Sequence, residues 1–334
     1  MTKKSKYNPR QYSLFGEETP ESPSIISGGR DMRANKIIGE ISELETPIVD
    51  LNQVKTLKFM SFGSGSSGNC SYIGTEAGGF LIDAGVDMQQ VIDALTQNGI
   101  PMGSIKGICL THEHMDHIKY VYTFLRKYKM ALFCTNRVLQ GILRKHNISR
   151  RIKDYHVAIY KEIPFKILDF EITAFNVSHD VSCNSGFNIR LGKSNFVFST
   201  DMGTITDRAR FYMEDADYLV IESNYDSKML ENGKYPEYLK SRIYSDVGHL
   251  DNKEAAEFIA TIAGGRLKNV FLCHLSKDNN TPELALKEVR SAVESKGFTV
   301  GDCLETLEDS QKDIQLMALP RFDATRCFKF KIPV

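Results

Sequence analysis

The 334-residue chain carries 42 Lys and Arg against 42 Asp and Glu, so any contact with nucleic acid has to come from a local patch rather than a global field. Its 42% hydrophobic content is enough for one large core or two modest ones, and no run of about 18 consecutive apolar residues occurs, which excludes a helical membrane span. The seven cysteines are odd in number and form no CxxC, and several sit in apolar runs such as GICL and VFLCH, as buried free thiols do; this usage points to a reducing, cytoplasmic compartment.

From the N-terminus to about Asn52 the chain is polar and rich in Ser, Glu, Lys and Pro (GEETPESPSIISGGR), with no sustained period of helix or strand. Residues 1–53 therefore read as a disordered tail without the apolar stretch of a signal peptide, and residues 54–334 as one domain. In that domain TLKFMSF, SYIGT and GFLID lead, followed by GICLT, ALFCT, FEITAFNV, NFVFST, YLVIES, NVFLC and FKFKIP, all predicted strands. Between them, apolar residues at spacing three and four predict helices over 88–98, 119–128, 136–146, 252–263 and 282–296. The alternation is that of a layered α/β domain.

THEHMDH, residues 111–117, directly follows the predicted strand GICL. In a turn after a strand, side chains at positions n, n+2, n+4 and n+5 converge, so His112, His114, Asp116 and His117 can meet two neighbouring ions. A lone histidine is more often structural, but four metal-competent groups in six residues are not. Three more predicted strands end the same way: FEITAFNV runs into Ser178, His179 and Asp180, NFVFST into Asp201, and NVFLC into His274. If these strands are neighbours, one sheet edge gathers all seven ligands. Five His and two Asp suit two divalent ions, Zn²⁺, Mn²⁺ or Fe²⁺. A water shared by two such ions has a pKa near neutrality, so hydrolysis is the expected chemistry, with Asp201 fixing the spacing and Asp116 holding the nucleophile. His146 and His156 lie in a basic, loop-like stretch and read as solvent-exposed.

GSGSSGN, residues 63–69, follows a strand and offers backbone N–H groups and the side chains of Ser64, Ser66, Ser67 and Asn69 to a phosphate; the alternative is a tight surface turn. Two basic stretches, RKHNISRRIK (144–153) and KYPEYLKSR (234–242), are either a path for a phosphate backbone or ordinary solvated faces.

The HxHxDH motif, the later His, Asp and His, and the strand LIDAG together resemble the metallo-β-lactamase superfamily over most of residues 56–280. The resemblance implies a four-layer αββα sandwich, with one ion on His112, His114 and His179, the other on Asp116, His117 and His274, and Asp201 bridging. SFGSGSSGNC (61–70), ESNYD (222–226), KYPEYLKSRIYSDVGHL (234–250) and CHLSKDNNTPELA (273–285) are similar to the YycJ/WalJ branch of predicted exonucleases. This chain departs from that branch at Tyr225, where a His tends to stand, and at Asp251, where Ser is usual. In related phosphodiesterases a histidine between the bridging Asp and the last metal His serves the scissile phosphate or the leaving oxygen, a role the resemblance implies for His249; the alternative is a helix-start residue. HxExD and a flavin domain, the marks of the diiron oxygen reductases, are missing, and the interval from Asp201 to His274 is too short for a β-CASP cassette. The implied activity is a DNA exonuclease in repair or replication, a metal-bridged hydroxide attacking the phosphodiester. The alternatives are a lactone or thioester hydrolase, which shares these ligands, and a DNA-bound interaction module without catalysis.

Gln11-Tyr12-Ser13-Leu14-Phe15 resembles the QLSLF-type pentapeptide by which bacterial repair and replication proteins bind the sliding clamp. Leu14 and Phe15 would fill an apolar pocket while Gln11 supplies directional hydrogen bonds.

Overall fold

A computed structural model describes residues 54–303 and 311–333; the expected tail and its pentapeptide Gln11 to Phe15 lie outside the described residues. The first half of the domain runs β1 (Val54–Gly63), β2 (Cys70–Thr75), β3 (Gly78–Ile82), α1 (Met88–Gln97), β4 (Ile105–Cys109), α2 (Met115–Ile118), α3 (Val121–Tyr128), β5 (Ala131–Cys134), α4 (Asn136–Lys145) and β6 (His156–Ala158). The second half runs β7 (Phe165–Ile167), β8 (Phe170–Asn176), β9 (Ser185–Leu191), β10 (Ser194–Ser199), α5 (Asp207–Met213), β11 (Tyr218–Glu222), α6 (Ser227–Asn232), α7 (Glu237–Tyr244), α8 (Asn252–Ile262), β12 (Asn269–Cys273), α9 (Pro282–Ser295), β13 (Val300–Asp302), β14 (Ile314–Ala318) and β15 (Phe328–Pro333).

The strands form two sheets, ordered β15-β1-β2-β3-β4-β5-β6 and β13-β14-β12-β11-β10-β9-β8-β7. Between the sheets Leu57, Phe59, Ile73, Phe80 and Ile82 of the first meet Phe170, Phe187, Phe196, Val220 and Phe271 of the second. The outer face of the first sheet is covered by α1, α3 and α4 through residues such as Val91, Phe124 and Ile142. Helices α5, α8 and α9 cover the second through Met213, Phe258, Ile259 and Val289. The layers are therefore αββα, as the sequence resemblance implied. Because central strands are buried on both faces, they read as continuous apolar runs rather than as alternating ones.

Helix starts follow their capping chemistry: Asp87, Thr135, Thr206, Asp251 and Thr281 each accept a backbone N–H of the first turn of α1, α4, α5, α8 and α9, and Pro282 sits where the orphan N–H is not needed. The predicted helix over 119–128 starts two residues late, because Lys119 caps α2 and Tyr120 caps α3. Two expectations are overturned. His156 opens β6 and is half-buried, its Nε2 2.9 Å from the Cys134 carbonyl, because the chain it was assigned to as a loop adds an edge strand to β5. His146 ends α4 half-buried, with its Nε2 enclosed and without a hydrogen-bond partner.

Candidate functional site

Strands β10, β11 and β12 are parallel neighbours, so their C-terminal ends open on one edge of the second sheet. The C-terminal end of β4 in the first sheet opens on the same region, and the segment after β8 closes it. Asp83 and His274, directly after β3 and β12, and Asp201, two residues after β10, have φ of 60°, 55° and 52°. Left-handed backbone is uncommon for non-glycine residues and persists where the surroundings over-determine it, often at functional sites. The β1 end carries a register shift between Ser61 and Gly63, so the strand bends into the 64–69 loop as it leaves the sheet.

All seven sequence-predicted ligands come together at these ends. Donor atoms of His112, His114 and His179 lie within 4.8 Å of one another, and so do those of Asp116, His117 and His274. Asp201 touches both trios: its Oδ2 is 3.2 Å from His117 Nε2, and its Oδ1 lies 3.8 Å from His179 Nε2 and 3.4 Å from His274 Nδ1. A further group of Asp201, Glu222, His249 and His274 meets the same distance.

Each inner imidazole is oriented from behind. His117 Nδ1 is 2.7 Å from Asp83 Oδ2, His274 Nδ1 is 2.8 Å from Glu222 Oε1, and His179 Nδ1 is 2.9 Å from the Gly248 carbonyl. The Thr111 hydroxyl donates to Asp83, which leaves its lone pair for His112 Nδ1 at 3.0 Å. With Nδ1 engaged in all four rings, the Nε2 atoms face inward, which is how outer partners orient a ligating histidine. Burial, reinforced by the neighbouring His117, holds the His112 imidazole well below the usual range, and burial together with His179 brings His114 down to about 4, so both offer lone pairs at neutral pH. Burial opposes ionisation of Asp201, but the adjacent His274 and His117 outweigh it and keep the carboxylate charged.

The donor set fits a cation. His112 Nε2 and His114 Nδ1 face each other at 3.1 Å, with His179 Nε2 3.4 Å from the latter, so ring nitrogens of three imidazoles crowd together. His274 Nε2 is buried without a hydrogen-bond partner. Crowded ring nitrogens and an orphaned buried nitrogen are costly unless a positive charge lies among them.

The loop residues divide. Ser64 is buried and its Oγ accepts from the His274 backbone N–H at 2.9 Å, while the Asn69 amide donates to Gly65 O at 3.0 Å and to Asp116 Oδ2 at 3.1 Å. Ser66 and Ser67 are exposed. His249 stands at the site, its Nδ1 2.8 Å from Glu222 Oε1, and it is Asp251 rather than His249 that caps α8. Asp83 and Glu222, both buried, were not singled out in the sequence; the signal was an acidic residue closing an apolar strand, GFLID and YLVIE. The two departures from the exonuclease branch, Tyr225 and Asp251, pair with each other in an isolated parallel bridge. Part of the basic charge is already matched: Arg242 Nε is 2.5 Å from Asp180, Lys240 is 3.1 Å from Glu237, and Lys145 is 2.9 Å from Glu113.

The family model described as "Beta-lactamase superfamily domain" matches residues 79–274. The chain is 34% identical over 256 residues to "Exodeoxyribonuclease YycJ" of Bacillus anthracis, covering 77% of this chain and 96% of that protein. It is 35% identical over 229 residues to "Exodeoxyribonuclease WalJ" of Streptococcus pneumoniae, covering 68% and 85% respectively. Among solved structures, the metallo-beta-lactamase fold protein YhfI of Bacillus subtilis superposes with a TM-score of 0.58 at 14% identity, over 83% of this chain and 100% of that one, a likeness of fold.

Proposed function

The chain belongs to the metallo-β-lactamase superfamily of hydrolases, in its YycJ/WalJ-like branch, and from that premise we propose that it is a two-metal phosphodiesterase degrading DNA from an end in repair or replication. The observation that carries the reading is the pair of His and Asp trios with Asp201 in reach of both, a donor set that would hold divalent cations. Divalent cations held there, Zn²⁺, Mn²⁺ or Fe²⁺, would supply Lewis-acid neutralisation of a phosphodiester and lower the pKa of a water.

The protein's own groups do the rest. Asp116, beside His117 and His274 at 3.4 and 3.5 Å, would both ligate and accept a hydrogen bond from the attacking water. Glu222 holds His249 through Nδ1, which leaves Nε2 directed away from it, suited to contact the scissile phosphate or to donate a proton to the leaving oxygen. Exposed Ser66 and Ser67 offer hydroxyls to the phosphate, while buried Ser64 and Asn69 tie the loop to His274 and Asp116. The catalytic domain is residues 54–334, with residues 1–53 a separate segment.

The test is incubation of metal-loaded protein with end-labelled duplex DNA, single-stranded DNA and RNA. Stepwise shortening of DNA is expected, abolished in His114→Ala and Asp116→Ala, each of which opens a coordination shell in a protein that still folds. Near wild-type turnover with bound metal in either variant sinks the site assignment; inert nucleic acids together with lactone or thioester hydrolysis would transfer the chemistry to a small-molecule substrate.

A further inference from the structure

Beside the ligand cluster lies a cavity of about 180 Å³ whose lining shares Ser67 with the loop proposed to meet the phosphate. Its lining includes Lys119, Tyr120, Arg321, Phe322, Ser67 and Gly85. Two links tie it to the metal ligands. A Cβ on Gly85 would stand 1.6 Å from the Asp116 carbonyl, so the cavity wall is one backbone thickness from a predicted ligand. The loop that supplies Ser67 also supplies Asn69, whose backbone N–H donates to that same carbonyl at 2.7 Å.

The side chains repeat one pattern. Lys119 Nζ lies 5.3 Å from the centre of the Tyr120 ring, and Arg321 Cζ lies 5.9 Å from that of Phe322. Phe322 is 56% exposed, more than a large apolar side chain gains by, and the Gln90 amide donates to its carbonyl at 2.6 Å and to that of Phe62 at 2.8 Å, which pins the segment against α1. The Arg321 guanidinium lies against the 64–69 loop, its Nη1 3.0 Å from where a Gly65 Cβ would stand. The carboxylate on the lining, Asp87, accepts the Gln89 N–H at the start of α1, where the helix end offsets its charge.

The exposed Phe322 ring with Arg321 against it, beside a second cation and ring in Lys119 and the half-buried Tyr120, one wall away from the hydrolytic groups, suits a base and its flanking phosphate. The volume is below the roughly 300 Å³ of an ordinary small-molecule pocket, room for one base rather than a stacked pair. Resting on the phosphodiesterase reading, we propose that this cavity is a nucleoside subsite: it takes one unpaired base of the DNA end against Phe322, with Arg321 and Lys119 on the adjoining phosphates. The strand end must then be single-stranded at that position.

The experiment measures binding of the metal-loaded full chain to an internally labelled, cleavage-resistant phosphorothioate oligodeoxynucleotide by fluorescence anisotropy. Phe322→Ala is expected to raise Kd about 5- to 150-fold, the range for removing one stacking platform. Arg321→Gln is expected to weaken binding and to lower the slope of log K against log salt by about one phosphate. An oligonucleotide lacking its terminal base should bind the wild type more weakly yet bind Phe322→Ala no worse than the intact strand does. Phe211→Ala is the matched control, a similarly exposed ring with Arg208 5.0 Å from its centre but outside this cavity, and it should leave Kd unchanged. If the wild type cleaves DNA ends while Phe322→Ala and Arg321→Gln bind as tightly as it does, or if Phe211→Ala weakens binding equally, the subsite is overturned and the exonuclease reading stands. If the wild type neither binds nor cleaves any nucleic acid, both fall.

Discussion

Glu222 holds two histidines that the proposed mechanism separates, through one oxygen 2.8 Å from both His249 Nδ1 and His274 Nδ1. The side chains on either side of that carboxylate should therefore respond differently to substitution. His249→Ala is expected to lower turnover about 10²- to 10⁴-fold, the range for losing a positioned proton donor, with metal stoichiometry retained. Glu222→Ala releases His274 as well and should weaken metal binding about 10- to 100-fold besides. Metal analysis of the purified variants beside their DNA turnover reads both, and loss of metal from His249→Ala would make His249 a ligand instead. The predicted ligands were legible because histidine is scarce and the spacing of THEHMDH is dense, so the side-chain types alone carried the inference. Asp83 and Glu222 were not, because a carboxylate at a strand end is common and its partners are His117, 34 residues away, and His274, 52 residues away. What marks them in retrospect is energetic: an acidic side chain closing a wholly apolar strand enters the core and needs a partner there.

At the level of elements, the ends of the strands carry the site while their middles carry the stability that holds those ends together. Phe59 on β1 is fully buried, its ring 5.0 Å from Phe196 on β10 and 4.8 Å from Phe271 on β12, so a single side chain bridges the two sheets directly behind Asp201 and His274. Phe59→Ala should cost about 3–5 kcal/mol, visible as a lower denaturant midpoint with an unchanged slope, because the cavity is enclosed by strands that cannot collapse onto it. A change below about 1 kcal/mol would mean that Phe59 is not in the sandwich core. The five expected helices and the apolar strands were legible from period and from runs such as NFVFS and YLVIE. Strand β9, SGFNIRL, was not, since Ser185, Gly186 and the buried Asn188 interrupt the apolar pattern, although it pairs along both edges with β8 and β10. Helices α5 and α6 are too short, at seven and six residues, for a period of 3.6 to stand out, and α7, eight residues long like α3, buries only Ile243 where α3 buries Val121, Phe124 and Leu125.

At the scale of the whole chain, an end-directed nuclease has a delivery problem that the catalytic domain does not solve by charge. With 42 basic and 42 acidic residues there is no net field to concentrate it on DNA, and several basic side chains of the stretches nearest the site are paired with carboxylates. Local patches such as the one around Arg321 act only after encounter, because surface charges are screened beyond about 10 Å at ordinary salt. A separate peptide that docks on a DNA-loaded ring would supply the missing encounter, and Gln11 to Phe15, far from the domain in sequence, has the side chains for it: two adjacent apolar anchors and an amide with directional hydrogen bonds. Its Tyr12, where Leu is preferred, alters the fit of one side chain rather than the spacing of the anchors. A contact this small is expected to reach only the micromolar range, about 8 kcal/mol, yet tethering converts that into a raised local concentration of nuclease at the clamp. A peptide covering residues 6–20 should therefore bind the organism's sliding clamp with micromolar Kd, and the triple variant Gln11→Ala, Leu14→Ala, Phe15→Ala should not. In the full chain the same triple variant should leave cleavage of free oligonucleotides unchanged and lose only the stimulation that clamp-loaded DNA provides. Equal binding by the two peptides, or none by either, removes the clamp from the account and leaves the encounter to diffusion.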